Sequence, residues 1–242
     1  MTHKGFTAVI VQARVGSTRL PGKVLRDLGG RPVLARVLAR CKRIPGADTA
    51  VCAVPDEPES AALEEIALSE GCTVVRGSEQ DVLGRYLTAA RATNAEVVMR
   101  VTSDCPLIDS QLCGRVLELR AAEGADYACN NMPRSFPHGL DCEAFTAEAL
   151  ERAAAEAVDV YDREHVTPWL RRAGGLKRIN LSSGRMALAE HRWTLDYPED
   201  LAFFEAVFAA LPNADIASFE DILALLARRP DITAINASRA TA

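Results

Sequence analysis

The sequence predicts an α/β fold: a mostly parallel central sheet with helices on both faces. Three observations carry the prediction. Four apolar runs, TAVIVQ (7–12), TAVCAV (49–54), CTVVRG (72–77) and EVVMRV (96–101), lack polar alternation, as strands buried on both faces do. Segments with helical spacing separate these runs, giving the β-α-β order of parallel connections. With 242 residues, 48% hydrophobic and 25% charged, the chain can bury one substantial core.

The elements follow in order. After the strand at 7–12 comes a basic loop, and Pro32 suits the first turn of a helix whose face holds Val33, Val37 and Leu38 before Pro45-Gly46 stops it. The acidic segment from Glu57 to Glu70 spaces Leu63, Ile66 and Ala67 for a second helix. Ser78-Glu79-Gln80-Asp81 reads as the start of a helix reaching about Thr93, and Asp109 or Ser110 suits the cap of the next. Further on, DYACNN and CEAF predict strands around an irregular, Pro-containing stretch from Met132 to Leu140. LKRINL (176–181) and HRWTLD (191–196) predict two more. Helices are expected over 146–157, 162–173, 198–211 and 218–228, with INASRATA a frayed end. No long linker, repeat or low-complexity tract interrupts this, so 1–242 reads as a single domain.

Composition narrows the function. A net charge of -5 argues against a broad nucleic-acid footprint, so any anion site is local. The start, MTHKGFTAVIV, has too short an apolar run for a secretory leader, and no run is long enough for a membrane span, so a cytoplasmic protein is expected. Seven cysteines stand singly, without CxxC pairs, and read as small buried hydrophobes rather than disulfides or a zinc knuckle.

Open parallel sheets bind ligands beyond the carboxyl ends of their strands, and two segments lie at that edge. One is the loop in IVQARVGSTRLPGKVL. Gly16 and Gly22 allow close backbone approach, Ser17 and Thr18 are small hydroxyl residues, and Arg14 and Lys23 can neutralise phosphate. The loop is neither GxxxxGK[ST] nor GxGxxG, and by composition it also fits a solvated turn closed by Pro21-Gly22. The other segment is TSDCPLID. Asp104 directly follows a buried strand and Pro106 restricts Cys105, so the carboxylate stands at the ligand edge, where it can hold Mg2+; it comes too early to cap the next helix.

Asp196, in HRWTLDYPEDL, ends another apolar run; it fits either a ligand or a helix cap ahead of Pro198. Glu199 and Asp200 suit the first turn of that helix without any ligand. In HGLDCEAF, His138, Asp141 and Glu143 gather near a glycine, with Asp141 and Glu143 expected on one side of a strand, or at a polar hairpin edge. His165 lies on a predicted helix and fits a structural or a site role. Arg85 and Arg100 are cations near the ligand edge, and Arg85 can also pair with Asp81. Met99 and Trp193 read as core.

Together, IVQARVGSTRLPGKVL, DVLGRY, RVTSDCPLID and LDYPEDL resemble the cytidylyltransferases that make CMP-activated sugar acids. These include CMP-Kdo synthetases and acylneuraminate cytidylyltransferases, and the likeness is greatest to the spore-coat polysaccharide biosynthesis F type. The resemblance spans Val9 to about Leu201 and implies a Rossmann-like, glycosyltransferase-A-like nucleotidyltransferase fold with a small β-containing insertion. It implies nucleotide contacts from Gln12, Ala13, Arg14, Gly16, Ser17, Lys23, Arg85, Thr102 and Ser103, with Arg14, Lys23 and Asp104 catalytic and Asp104 and Asp196 on Mg2+. Thr102 stands where CMP-Kdo synthetases commonly carry a base-reading glutamine, and Ser103 where many relatives carry glycine.

HGxDxE and EHVTP segments recur in the spore-coat type. They suggest acceptor binding, or for the HGxDxE residues contacts near the metal, with Arg134, His138, Asp141, Glu143 and His165 as the acceptor set and residues 131–175 as the acceptor and dimer insertion. The expected partners are CTP and a small anionic acceptor, in a homodimer, without nucleic acid or membrane. Two other readings stay open: a glycosyltransferase using a nucleotide sugar, which usually needs a DxD-type pair, and a non-catalytic nucleotide-binding assembly subunit.

Overall fold

The computed structural model describes residues 5–211 and 213–239. The first four residues of MTHKGFTAVIV and the last three of INASRATA lie outside the described residues. The four apolar runs form β1 (Thr7–Gln12), β2 (Thr49–Pro55), β3 (Thr73–Gly77) and β4 (Val97–Thr102), paired in parallel in the order β3-β2-β1-β4. Past β4 the sheet continues with β6 (Glu143–Thr146), antiparallel to its neighbours, then β5 (Tyr127–Cys129) and β7 (Arg178–Asn180).

Alternate side chains of β1 go to opposite faces, which makes two cores. Val9 and Val11 pack with Leu34 and Val37 of α1 (Val33–Cys41), Leu63 of α2 (Ala61–Ser69) and Val116 of α4 (Ser110–Glu123). Ala8 and Ile10 pack with Tyr86 of α3 (Val82–Ala92), Leu150 of α5 (Ala147–Glu156) and Leu170 of α7 (Pro168–Arg172). All seven cysteines are buried and free.

A third apolar cluster gathers around α8 (Pro198–Ala210), α9 (Phe219–Arg228) and α10 (Pro230–Ile235). It matters for function because Leu20, Leu107 and Leu195 all insert into it. Each belongs to a different segment: the basic loop, the turn after Asp104, and the approach to Asp196. Full burial of such a side chain is worth roughly 1.5–3 kcal/mol, so the same cluster that completes the core also brings these segments together.

Three sequence readings are corrected. HRWTLD is not a strand: it makes a single bridge, His138 with Arg192, and the Trp193 and Leu195 amides go to the His138 and Asp104 carbonyls at 2.6 and 2.9 Å. The helix expected over 162–173 is two, α6 (Val160–His165) and α7. A proline at 168 would strike the carbonyl four residues back, and the chain breaks through a tight turn at Val166, φ 70°, closed by Thr167 N–H to His165 O at 2.8 Å. The chain from Ile235 to Arg239 is not frayed, since Asn236 is buried and hydrogen-bonded. No helix among the described residues is long and apolar enough to cross a membrane.

Candidate active site

β1 and β4 lie side by side with Gln12 opposite Thr102, so the chains leaving both strands reach the same sheet edge. Ala13 still donates to Ala53 O at 3.0 Å; the loop then borders a cavity of about 310 Å³. Leu20 and Val24 are buried and pin the far end of the loop, which sends Lys23 back toward the sheet.

There Lys23 Nζ sits 2.7 Å from Asp104 Oδ2 and 2.9 Å from Asp196 Oδ1. Burial works to lower the Lys23 pKa, but the two carboxylates outweigh it and raise it above the ordinary value. Burial likewise pushes Asp104 up, yet the Lys23 ammonium and the Thr102 hydroxyl, 2.6 Å away, hold this carboxyl below its usual range. Asp104 and Lys23 are therefore both charged at neutral pH.

Asp196 is held from three sides. Its Oδ1 also meets Arg19 Nη2 at 3.3 Å, and its Oδ2 meets Arg192 Nη2 at 3.1 Å. Arg192 is fixed in turn by two 3.0 Å bonds to the fully buried Asp200, whose Oδ2 accepts the Asp196 and Tyr197 N–H groups. The helix cap is thus Tyr197, boxed with Asp200, which leaves the Asp196 carboxylate to the cavity.

The HGLD turn supports this segment from behind. Gly139 has φ +109°, and a Cβ there would lie 2.0 Å from the Trp193 carbonyl oxygen, so the two backbones touch where a side chain cannot fit.

The opposite wall is α3 and α6. Arg85 is buried and donates to Ser78 O at 2.9 Å, while burial lowers its pKa. The expected Arg85 pair with Asp81 is not made: Asp81 caps α3 and takes Arg163 at 2.6 Å, which ties α6 to α3. That tie brings Glu164 and His165 to the cavity, where Glu164 lies 3.6 Å from Arg14 Nη2.

The nucleotide set named from sequence therefore converges. Gln12 comes from the end of β1, Ala13, Arg14, Gly16 and Ser17 from the loop, Arg85 from α3, and Thr102 and Ser103 from the end of β4 and the residue after it, around Lys23, Asp104 and Asp196.

The acceptor set divides between different places. Of its five residues, His165 lines the cavity; Arg134 pairs with Asp141 at 2.6 Å, and His138 Nε2 lies 3.8 Å from Asp141. Burial lowers the His138 pKa.

Glu143 is a correction. Its carboxylate is buried among Tyr127, Arg100 (2.6 Å) and Arg171 (2.5 Å), because the strand starts at Glu143 and Asp141 lies outside it. Arg100 is accordingly an internal partner. Arg19, Glu164 and Val82 line the cavity without having been assigned there. Arg19 and Glu164 are visible in the sequence as charges close to assigned residues, whereas Val82, although inside DVLGRY, is one apolar side chain among several and carries no mark of its own.

Asp104 and Asp196 turn two oxygens toward a single cation. This is a donor set that suits Mg2+, whose other positions go to water and substrate phosphate. Among the described residues no group of three or more His, Cys, Asp or Glu could hold a metal ion, so the fit is to an ion completed by its ligand.

A family model described as Cytidylyltransferase matches residues 8–207. The spore coat polysaccharide biosynthesis protein SpsF of Bacillus subtilis (strain 168) is 31% identical over 229 residues, covering 92% of this chain and 94% of that one. The uncharacterized protein MJ1063 of Methanocaldococcus jannaschii is 34% identical over 233 residues, covering 95% and 93%. Among solved structures, a cytidylyltransferase from Leptospira borgpetersenii serovar Hardjo-bovis superposes with a TM-score of 0.88 at 30% identity, over 94% of this chain and 96% of that one. A CMP:2-keto-3-deoxy-manno-octonic acid synthetase complexed with CTP shares the fold at a TM-score of 0.65 and 16% identity, over 85% and 99%.

Proposed function

This chain belongs to the cytidylyltransferase family, and on that premise we propose that it transfers CMP from CTP to a small anionic sugar, releasing pyrophosphate. The acceptor is a sugar acid of nonulosonic or Kdo-like type, or a related phosphorylated or phosphonate compound. One observation carries the reading: Lys23 bridges Asp104 and Asp196 beneath a basic loop, at the edge where parallel sheets bind ligands. The CTP complex of the structural neighbour and the polysaccharide role in the SpsF name support the nucleotide and the product class.

An acceptor oxygen, from a sugar hydroxyl or from a phosphate or phosphonate group, attacks the α-phosphorus in line; the new P–O bond forms as the bond to pyrophosphate breaks, and the proton of an attacking hydroxyl passes to solvent. Such a reaction asks the protein for alignment and charge stabilisation, and no side chain serves as nucleophile. Gln12, Ala13, Thr102, Ser103 and Arg85 seat the nucleoside end. Arg14 and Lys23 hold the phosphates that leave, with Gly16 and Ser17 allowing backbone approach. Asp104 and Asp196 would hold Mg2+, which when bound offsets charge on the transferred phosphate. His165 faces the acceptor, while Glu164 pairs with Arg14 in the free protein. The active form is a cytoplasmic homodimer joined through residues 131–175, a segment in which Val158, Val160 and Tyr161 are 91%, 76% and 61% exposed.

The test follows pyrophosphate from each of the four NTPs with Mg2+ against a panel of sugar acids, sugar phosphates and phosphonates. Release is expected with CTP and one acceptor class, and its loss in Asp104→Ala. Release with ATP or GTP alone overturns the cytidylyl assignment, and no release from any NTP returns the question to a glycosyltransferase or a binding subunit.

A further inference from the structure

We propose that Lys23 holds the cation position of the site in the free protein, so that a metal ion enters together with the nucleotide, whose triphosphate takes the lysine in exchange. This rests on the Mg2+ reading above.

The geometry makes the two cations compete for the same atoms. Lys23 uses Asp104 Oδ2 and Asp196 Oδ1. The remaining oxygens are committed inside the protein, Asp104 Oδ1 to the Thr102 hydroxyl and Asp196 Oδ2 to Arg192. A metal held by these two carboxylates would need the oxygens that Lys23 uses, so the two cations exclude each other.

Charge points the same way. Arg192 is offset by Asp200, and the two site carboxylates are offset by Lys23 and Arg19. The cluster is neutral without a metal, so a divalent ion arriving alone leaves two positive charges in excess in a partly buried pocket. A triphosphate arriving with the ion removes that excess and gives Lys23 a new anionic partner. Arg14 has the same choice, since it rests 3.6 Å from Glu164, with both side chains exposed enough for the pair to be weak. Linkage then requires the metal to tighten the nucleotide by the same factor as the nucleotide tightens the metal.

The test titrates Mn2+ into the protein and follows the EPR signal of the free ion, with and without the non-reacting α,β-methylene analogue of CTP. Mn2+ affinity is expected to rise about tenfold or more when the analogue is present, and analogue affinity to rise by the same factor with Mn2+. Lys23→Met is expected to bind Mn2+ without nucleotide about tenfold more tightly than the parent, and to lose most of the coupling. Equal Mn2+ affinity with and without the analogue overturns the exchange, as does a folded Lys23→Met variant that binds Mn2+ no better than the parent. If Lys23→Met does not fold, the paired titrations on the unaltered protein still decide. Absence of Mn2+ binding even with the analogue, or binding indifferent to Asp104→Asn and Asp196→Asn, overturns the metal assignment itself and the exchange with it.

Discussion

Replacing Gly139 by alanine tests whether a backbone contact outside the cavity holds the site in register. The added Cβ would sit 2.0 Å from Trp193 O and 2.8 Å from Thr194 N. A comfortable carbon–oxygen approach is about 3.3 Å, so the 193–196 segment has to retreat by roughly 1.3 Å. The positive φ adds strain on the order of 1–3 kcal/mol, and the paired bonds of His138 with His191 and Trp193, at 2.9 and 2.6 Å, weaken as the segments part. The sum is on the order of 4 kcal/mol, which for a chain of this size lowers the melting temperature by roughly 10 °C.

The retreat also carries Asp196 away from Lys23. Misplacement by about 1 Å costs about 100-fold in turnover. The control is Gly124→Ala, at the end of α4, where φ is +57° but no atom lies within 4 Å of the added carbon. It should cost about 1 kcal/mol and leave turnover unchanged. Thermal melts and steady-state pyrophosphate release read both variants. If Gly139→Ala melts and turns over like Gly124→Ala, the HGLD turn does not position Asp196.

Two further predictions concern the rest of the fold. Burial opposes ionisation of Glu143, but Arg100 and Arg171 prevail and depress its pKa from 4.5 to about 2. A depressed carboxyl stabilises the fold above 4.5, and that contribution is lost as pH falls toward 2. At about 1.4 kcal/mol per pH unit it is on the order of 3 kcal/mol. Glu143→Gln should therefore lower stability in urea at pH 7 and show a smaller further loss at pH 3 than the parent; an unchanged pH dependence refutes the ion-pair assignment. For the proposed dimer, sedimentation velocity is expected to show the parent as a dimer and Val160→Glu together with Tyr161→Arg as a monomer; a dimer that survives the pair of changes places the interface elsewhere, and a monomeric parent overturns the dimer proposal.

The parallel half of the molecule was legible in the sequence because its signals are local. TAVIVQ and EVVMRV are continuous apolar runs, and a carboxylate immediately after such a strand has one place to be. HRWTLD misled because its Trp193 and Leu195 are apolar for another reason: they fill the third cluster, while their amides bond to the HGLD turn and to Asp104. Periodicity records burial and cannot name the hydrogen-bond partner. Glu143 misled in a similar way. A carboxylate near a glycine and a histidine suggests a ligand, but its two arginine partners lie 43 positions before it and 28 after it. Asp81 was read as a partner for Arg85 because i,i+4 pairing is the local choice, whereas Arg163, 82 positions away, takes it.

The Asn236 contacts give the site a thermal life of its own. Its amide donates to Arg192 O at 3.1 Å and to Asp200 Oδ1 at 3.0 Å, so the order of Asp196 depends on a six-residue helix, α10, with Ile232 as its buried apolar anchor. Such short terminal elements open with far less free energy than a central sheet. When α10 lifts away, Arg192 and Asp200 lose a shared clamp while the parallel sheet stays intact. Heat should therefore silence this protein before it melts it, with catalysis fading at temperatures where the far-ultraviolet circular dichroism is still native.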